Sequence, residues 1–317
     1  MARYVKISTV GSPLIDADLS LPYAETQKQA EEYLLKQIEQ VLPDKPDLIL
    51  MPEMCDVPVN YDVPRREAFL RQRGDGHLNF FGKIARDNNC NLGFCTYRFG
   101  AGDYTLNTLY VLDRKGRVAG HYNKNHIVIP GESDQNVKCG VEAPIIELDI
   151  GTVACIICFD LNFDVIREHY KALKPEIILF ASMYHGGVVQ QIWAQQCRAY
   201  FVGAICNSRP SAVISPMGET IAYSTNYTNY AAATVNLDYA LAHYDYNQEK
   251  FIAMKKKYGP AVKLSEPGNL AYVMITSECG TGAADMVEEF GVLTLDNYFS
   301  GALAAHNMPE NRCEAGE

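Results

Sequence analysis

Thr152-Val-Ala-Cys-Ile-Ile-Cys-Phe-Asp-Leu-Asn-Phe163 reads as a buried strand that runs into a polar turn. Val153 to Phe159 is an apolar run with β-branched residues among it, as a central strand prefers. Asp160 and Asn162 then interrupt, and a helical pattern starts near Phe163. Cys158 falls at the strand's end, where backbone N–H groups lie close and a side chain can reach a cleft at the sheet edge. Cys155 and Cys158 also form a C-x-x-C, which has a metal or redox reading. An offset of three within a strand places the two thiols on opposite faces, so the pair is not expected to bridge or share an ion.

Outward from this segment, strands and helices alternate. Residues 3–10 alternate as a strand, and a helix is expected over Tyr23–Leu42, with Tyr33, Leu34, Ile38, Val41 and Leu42 on its apolar face. Asp47-Leu-Ile-Leu-Met51 is a short apolar run of the kind covered on both faces, and it leads directly into Pro52-Glu53. A long polar loop is expected from Glu53 to about Gly76, a candidate substrate rim or an ordinary surface excursion. A helix near Leu78–Asn88 and a strand Asn91–Tyr97 follow. Tyr104–Asp113 and Arg117–Tyr122 form a hairpin around Arg114-Lys-Gly116, and Lys124 lies just beyond it, with Glu132 further on.

The second half repeats the alternation. A hairpin of Pro144–Asp149 and Thr152–Phe159 precedes a helix Val165–Leu173, a strand Pro175–Ala181, a helix Val188–Ala199 and a strand Tyr200–Asn207. Strands Ser211–Ser215 and Glu219–Ser224 meet at Pro216-Met-Gly218, and Ala231–Asn236 closes the series. Tyr239–Lys257 reads as a charged helix. Beyond Tyr258 the pattern gives loop, one strand at Leu270–Ile275 and a short helix near Ala284–Phe290. The pattern predicts an α/β fold with residues 1–257 as one domain and 258–317 as an extension packing on it or on a partner subunit.

Composition narrows the function. The 317 residues are 48% hydrophobic and 21% charged, enough for a sizeable core and against wholesale disorder. A net charge of −10 without a basic run argues against nucleic acid or an anionic membrane as the main partner. No apolar stretch reaches the roughly 18 to 20 residues that span a bilayer. The start alternates like a strand rather than a signal peptide, so a cytoplasmic location is expected, and ten cysteines then read as free thiols. No second C-x-x-C or histidine pair completes a zinc set.

A free thiol is mostly protonated at neutral pH and needs a base or a cation to become a nucleophile. Among His77, His121, His126, His169, His185, His243 and His306, His126 is placed best, near Lys124, although a packing role fits it as well. A carboxylate and a lysine can do the same work, and Glu53 and Lys124 both follow strands, where sites of α/β proteins gather. Each of the three alone is commonplace. Their coincidence, each in a distinctive string, is not.

Leu48-Ile-Leu-Met-Pro-Glu53, His121-Tyr-Asn-Lys-Asn-His126 with Glu132 after it, and Ile157-Cys-Phe-Asp-Leu-Asn-Phe163 resemble, in order and spacing, the glutamate, lysine and cysteine motifs of the nitrilase, or carbon–nitrogen hydrolase, superfamily. Trp193–Asn207 and Ser211–Thr220 are similar to that family's helix–strand and S-x-x-x-x-P-x-G hairpin, and the likeness covers about Tyr4 to Asp238. The resemblance implies a four-layer α-β-β-α sandwich, dimerised or further assembled into homo-oligomers with helices stacked between subunits. It implies Cys158 as nucleophile and Glu53 as general base. The Lys124 ammonium and the backbone N–H of Phe159 would hold the oxyanion, and Glu132 would be a supporting acid, with no metal or cofactor.

The resemblance also implies a small amide or N-carbamoyl substrate. Many amide-cleaving members continue C-[YF]-D-x-R-F-P-E, whereas here Asn162 stands for the arginine and Asp164-Val165 for Pro-Glu. A carboxylate on the substrate could instead meet Arg65, Arg66, Arg71, Arg73, Arg98 or Arg209, each of which also reads as a solvated surface charge. Cys55, two residues after Glu53, could face the same cleft. Loops 54–76, 126–142 and 183–190 would line it. A true nitrilase and a catalytically silent scaffold are the alternatives. The first is disfavoured by the residues after Cys158, and the second by the intact Glu53, Lys124 and Cys158.

Overall fold

The computed structural model describes residues 2–206, 210–266 and 270–313. Two sheets of six strands carry the fold. The elements of the first sheet and its neighbours are β1 (Tyr4–Val10), α1 (Tyr23–Glu39), β2 (Leu48–Leu50), α2 (Val63–Arg73), α3 (Gly76–Asp87), β3 (Asn91–Phe99), β4 (Thr105–Leu112) and β5 (Val118–Asn123). A short helix α4 (Gly131–Asp134) leads to the second group: β6 (Ile146–Leu148), β7 (Gly151–Ile157), α5 (Asp164–Leu173), β8 (Ile177–Ser182), α6 (Val189–Cys197), β9 (Tyr200–Ile205), β10 (Ala212–Ile214), β11 (Thr220–Tyr223) and β12 (Tyr230–Asn236).

The first sheet has the order β12-β1-β2-β3-β4-β5, and the second β11-β10-β9-β8-β7-β6. Each is parallel in its middle, β1 to β3 and β7 to β9, and antiparallel in the flanking hairpins. The parallel strands β2, β8 and β9 are buried along their whole length, as strands covered on both faces must be. One cover is helical. Leu34 and Ile38 of α1 and Phe81, Ile84 and Ala85 of α3 pack on Ile49, Leu92 and Phe94 of the first sheet. Ile166 and Tyr170 of α5 and Trp193, Ala194 and Cys197 of α6 pack on Ala154, Ile156, Ile178 and Phe180 of the second.

The other cover is the opposing sheet. Thr9 Oγ1 donates to the Gly203 carbonyl at 2.9 Å across the interface. At Gly93 the approach is so close that a Cβ would come within 2.9 Å of Leu50 and 3.5 Å of Leu179. The result is the expected α-β-β-α sandwich.

Several elements differ from the sequence reading. The buried stripe of α1 is Thr26, Ala30, Leu34 and Ile38, a strict i+4 ladder, and Tyr33 sits at its edge. The expected polar loop 54–76 contains α2. Asp62 caps it by accepting from Arg65 N at 2.9 Å, Pro64 lies in its first turn, and Phe69 and Leu70 anchor it. Its four arginines concealed that apolar face. The expected charged helix Tyr239–Lys257 is divided. Tyr239–His243 is a strand, β13, and only Gln248–Tyr258 is helical, α7. The five-residue strand forms because β15 (Tyr272–Ser277), further along the chain, pairs with it antiparallel.

By contacts the chain divides into two compact units, one of residues 5–235 and one of residues 1–4 with 236–317. The sequence reading drew its boundary at 257/258. The second unit has a three-stranded sheet of order β13-β15-β14, where β14 is Val262–Ser265, with helices α7, α8 (Ala283–Glu289) and α9 (Leu295–Asn307). Its core is Ala242, Phe251, Met254, Val262, Val273, Ile275, Met286 and Val292. Among the described residues no helix is long and apolar enough to cross a membrane.

Candidate active site

Four strand ends of the first unit converge. Glu53 follows β2, Lys124 follows β5, Cys158 follows β7, and Met183 follows β8. Such ends are where the side chains of a parallel sheet become free to meet a ligand. The backbone around each is tied to a neighbour. Cys55 N donates to Cys95 O at 3.1 Å, Lys124 N to Asn107 O at 2.8 Å, and Gly140 N to Lys124 O at 2.8 Å.

Glu53 and Lys124 are each 2% exposed. The Nζ of Lys124 lies 3.1 Å from Glu53 Oε1 and 2.7 Å from Glu132 Oε2. Asn107 Nδ2 donates to Glu53 Oε1 at 2.8 Å and to Glu132 Oε1 at 3.1 Å. Backbone N–H groups complete the set, Met183 N on Glu53 Oε2 at 3.0 Å and Val128 N on Glu132 Oε2 at 2.9 Å. A buried charge is tolerable only when paired and hydrogen-bonded, and this cluster satisfies both conditions. Two acidic side chains thus share one lysine.

Cys158 begins a tight 3₁₀ turn, Cys158–Asn162, with φ at +47°. A side-chain-bearing residue in the left-handed region costs of order 1–3 kcal/mol and persists where the surroundings impose it. Here Asp160 holds the turn. Its buried carboxylate accepts from Tyr122 Oη at 2.8 Å, from His126 N at 2.8 Å and from Ile157 N at 3.3 Å, with His126 Nδ1 at 3.0 Å. The segment after Lys124 is thereby tied to the turn that carries Cys158.

Burial, and after it the negative charge of Glu53, pushes the Cys158 thiol up to about 12 despite the opposing pull of Lys124. Glu53 and Ser182 are its hydrogen-bonding neighbours. Burial works against the charge of Lys124, but Glu53, Cys158 and Glu132 together raise it above the usual lysine value. At rest the site therefore holds a thiol and an ammonium, and the thiol would have to lose its proton before the sulfur could act as a nucleophile. Glu53 stands where it can accept one.

The expected residues Glu53, Lys124, Glu132 and Cys158 thus come together, with Phe159 directly after Cys158 and 36% exposed. His126 turns elsewhere, stacking on Phe163 with ring centroids 3.6 Å apart while it meets Asp160. Cys55 is buried in the cluster with Ile49, Met51 and Phe94, and its thiol lies 3.7 Å from the Cys95 carbonyl oxygen.

Five of the six arginines considered for a substrate carboxylate are used internally. Arg73 pairs with Asp56 and donates to Tyr97 O at 2.7 Å. Arg66 bonds Gln135 and lies 4.7 Å over the Tyr97 ring. Arg65 caps Leu19 O at 2.8 Å, Arg71 meets Asp103 at 2.7 Å, and Arg98 bonds Thr108 and Asn123. Arg66 and Arg73 are buried rather than solvated, because α2 turns them inward. Arg209 lies outside the described residues, as does Asn207 at the end of the expected strand 200–207.

Asn107, Ser182, Asp160 and the Met183 N–H escaped the sequence reading as site groups. For Asn107 a signal existed, since an asparagine inside the apolar alternation of β4 runs against strand preference. All ten cysteines are free, Cys155 within β7 and Cys158 beyond its end. Among the described residues no group of three or more His, Cys, Asp or Glu is arranged to hold a metal ion.

Comparison with known proteins places this geometry in a family. Residues 17–242 match the carbon–nitrogen hydrolase family model. The NitFhit protein of C. elegans is similar in structure at 16% identity and a TM-score of 0.65, over 92% of this chain and 98% of that one. A carbon–nitrogen hydrolase from Helicobacter pylori G27 aligns at 15% identity and a TM-score of 0.64, over 74% and 90%. A mutant amidase from Nesterenkonia sp. AN1 aligns at 14% and 0.63, over 80% and 99%. Likeness at such identities is likeness of fold, and the family match spans most of the sequence: this chain belongs to the carbon–nitrogen hydrolase family.

Proposed function

We propose that the protein hydrolyses a small amide or N-carbamoyl compound through a thioester at Cys158. The observation that carries this is the buried Glu53–Lys124–Glu132 cluster, with Glu53 bearing on a thiol held protonated at a left-handed turn. It is supported by the amidase from Nesterenkonia sp. AN1, whose active-site cysteine undergoes Michael addition of acrylamide in a mutant.

In the first half-reaction Glu53 takes the Cys158 proton as sulfur attacks the carbonyl carbon. The oxyanion that forms is held by the Lys124 ammonium and the Phe159 N–H, each worth about 3–4 kcal/mol of barrier where the donor is preorganised. Glu53 then returns the proton to the leaving nitrogen, the C–N bond breaks, and a thioester remains. In the second half-reaction Glu53 deprotonates a water that attacks the thioester, and the proton passes to the departing sulfur. Glu132 keeps Lys124 oriented throughout.

The protein acts as a homodimer or larger homo-oligomer in the cytoplasm. Sedimentation that shows only monomer at micromolar concentration would remove the assembly from this reading.

The substrate class is tested by product release from a panel of amides, N-carbamoyl amino acids and aliphatic nitriles. Ammonia alone from an amide supports the amidase form, and ammonia with carbon dioxide supports the carbamoyl form. Turnover of nitriles only would replace both with a nitrilase, and none from any class would favour the silent scaffold.

A further inference from the structure

Asn107 touches every member of the charged cluster. It is wholly buried on β4. Its backbone carbonyl accepts from Lys124 N at 2.8 Å. Its Nδ2 spans the two carboxylates, 2.8 Å from Glu53 Oε1 and 3.1 Å from Glu132 Oε1. Behind it, the Cys95 thiol donates to Oδ1 at 3.1 Å, which fixes the amide with its hydrogens toward the acids. The reverse orientation would set the amide oxygen against two anionic oxygens.

Only an amide serves here. Its two N–H bonds reach two acceptors without adding charge. An acid would put a third negative group beside one lysine, and a second cation would bind the Glu53 charge that has to accept the thiol proton.

We propose that Asn107 is a positioning residue that holds Glu53 and Glu132 apart and keeps Glu53 aimed at Cys158. This inference rests on the thioester reading above. Two donors on Glu53 Oε1, Lys124 and Asn107, and one on Oε2, Met183 N, fix the carboxylate against rotation. Without Asn107, two like charges share a single ammonium, and such a pair takes up a proton more readily. A protonated carboxyl cannot act as base. Rotation and proton uptake therefore slow the reaction of Cys158 in the same direction. The other titratable neighbours of the pair are Lys124, Cys158, Tyr97, Cys95 and Cys206. Burial keeps the tyrosine and the cysteines protonated near neutral pH, and Lys124 stays charged.

The test is the rate of alkylation of Cys158 by iodoacetamide in the full chain, read peptide by peptide by mass spectrometry between pH 6 and 9. Exposed Cys139 serves as reference and buried Cys155 as a sensor of unfolding. Asn107→Ala is expected to slow Cys158 about tenfold or more at pH 7 and to move its pH dependence upward, with Cys139 unchanged and Cys155 protected. Adding Asn107→Ala to Glu132→Gln should cost much less than it does alone, because both act through one carboxylate pair. A wild-type rate at Cys158 in a folded Asn107→Ala protein, or full additivity with Glu132→Gln, overturns the proposal.

If Asn107→Ala exposes Cys155, Asn107→Asp is read instead. It keeps the volume and is also expected to be slow, and a wild-type rate in it counts equally against the proposal. Glu53→Gln separates the two levels. If it leaves Cys158 as fast as in wild type, the general-base reading fails. If it is slow while Asn107→Ala is not, only the role of Asn107 fails.

Discussion

Lys124 stands nearer to Glu132 than to Glu53, with Nζ at 2.7 Å from the one and 3.1 Å from the other. In the proposed reaction the ammonium is anchored by the acid that takes no part in the proton transfer, which leaves Glu53 to the thiol. Glu132→Gln keeps the shape and removes the anchoring charge. It is expected to lower kcat by about a hundredfold with little change in KM, as for loss of one preorganised group at an oxyanion. Steady-state kinetics on any turned-over amide check this, and a rise in KM alone would assign Glu132 to substrate binding.

Removing the cation has a larger structural cost. Lys124→Met leaves Glu53 and Glu132 buried together without a counter-ion. Breaking a buried pair in this way costs roughly 3–5 kcal/mol. Urea unfolding should show that loss together with loss of hydrolysis. The double variant Lys124→Met/Glu132→Gln should recover part of the stability and none of the activity.

The turn at Cys158 trades stability for reach. Glycine adopts φ near +47° without a side-chain clash, so Cys158→Gly is expected to gain about 1 kcal/mol over Cys158→Ala while both are inactive. Equal melting temperatures for the two variants would show that the backbone there is unstrained.

Acid should weaken the first unit through His77. This residue is buried against Phe94 and Tyr110, and burial first, then Arg73, pulls its imidazole down to about 4 from an ordinary 6.5. The folded protein keeps it neutral where the unfolded chain is already protonated. The stability it contributes is therefore present above pH 6.5 and is lost as pH falls from 6.5 towards 4, by roughly 3 kcal/mol in all. Unfolding free energies of wild type and His77→Phe across that range should show a shallower decline for the variant.

The sequence pointed to the candidate site more clearly than to the elements that carry it. Glu53, Lys124 and Cys158 were legible because each ends a short apolar run with a polar residue, and a strand end is where such a residue gains a cleft. Asn107 gave only the signal of an asparagine within an apolar strand, because its contacts exist only once β4 lies between β3 and β5 and brings the amide to both acids. Helix α2 was hidden by its arginines, although Asp62 and Pro64 already marked its start. Strand β13 was hidden because five residues of alternation specify nothing until β15 supplies the ladder. The inward turn of Arg66 and Arg73 follows from α2, so mistaking the helix for a loop also mistook the charges.

The most direct measurement of the central claim is the mass of the Cys158 peptide after rapid acid quench of the protein turning over an amide. The account predicts the acyl mass on Cys158, its accumulation when Glu53→Gln slows the water step, and neither adduct nor hydrolysis in Cys158→Ala. Steady hydrolysis with an unmodified Cys158, or hydrolysis that survives Cys158→Ala, would contradict it.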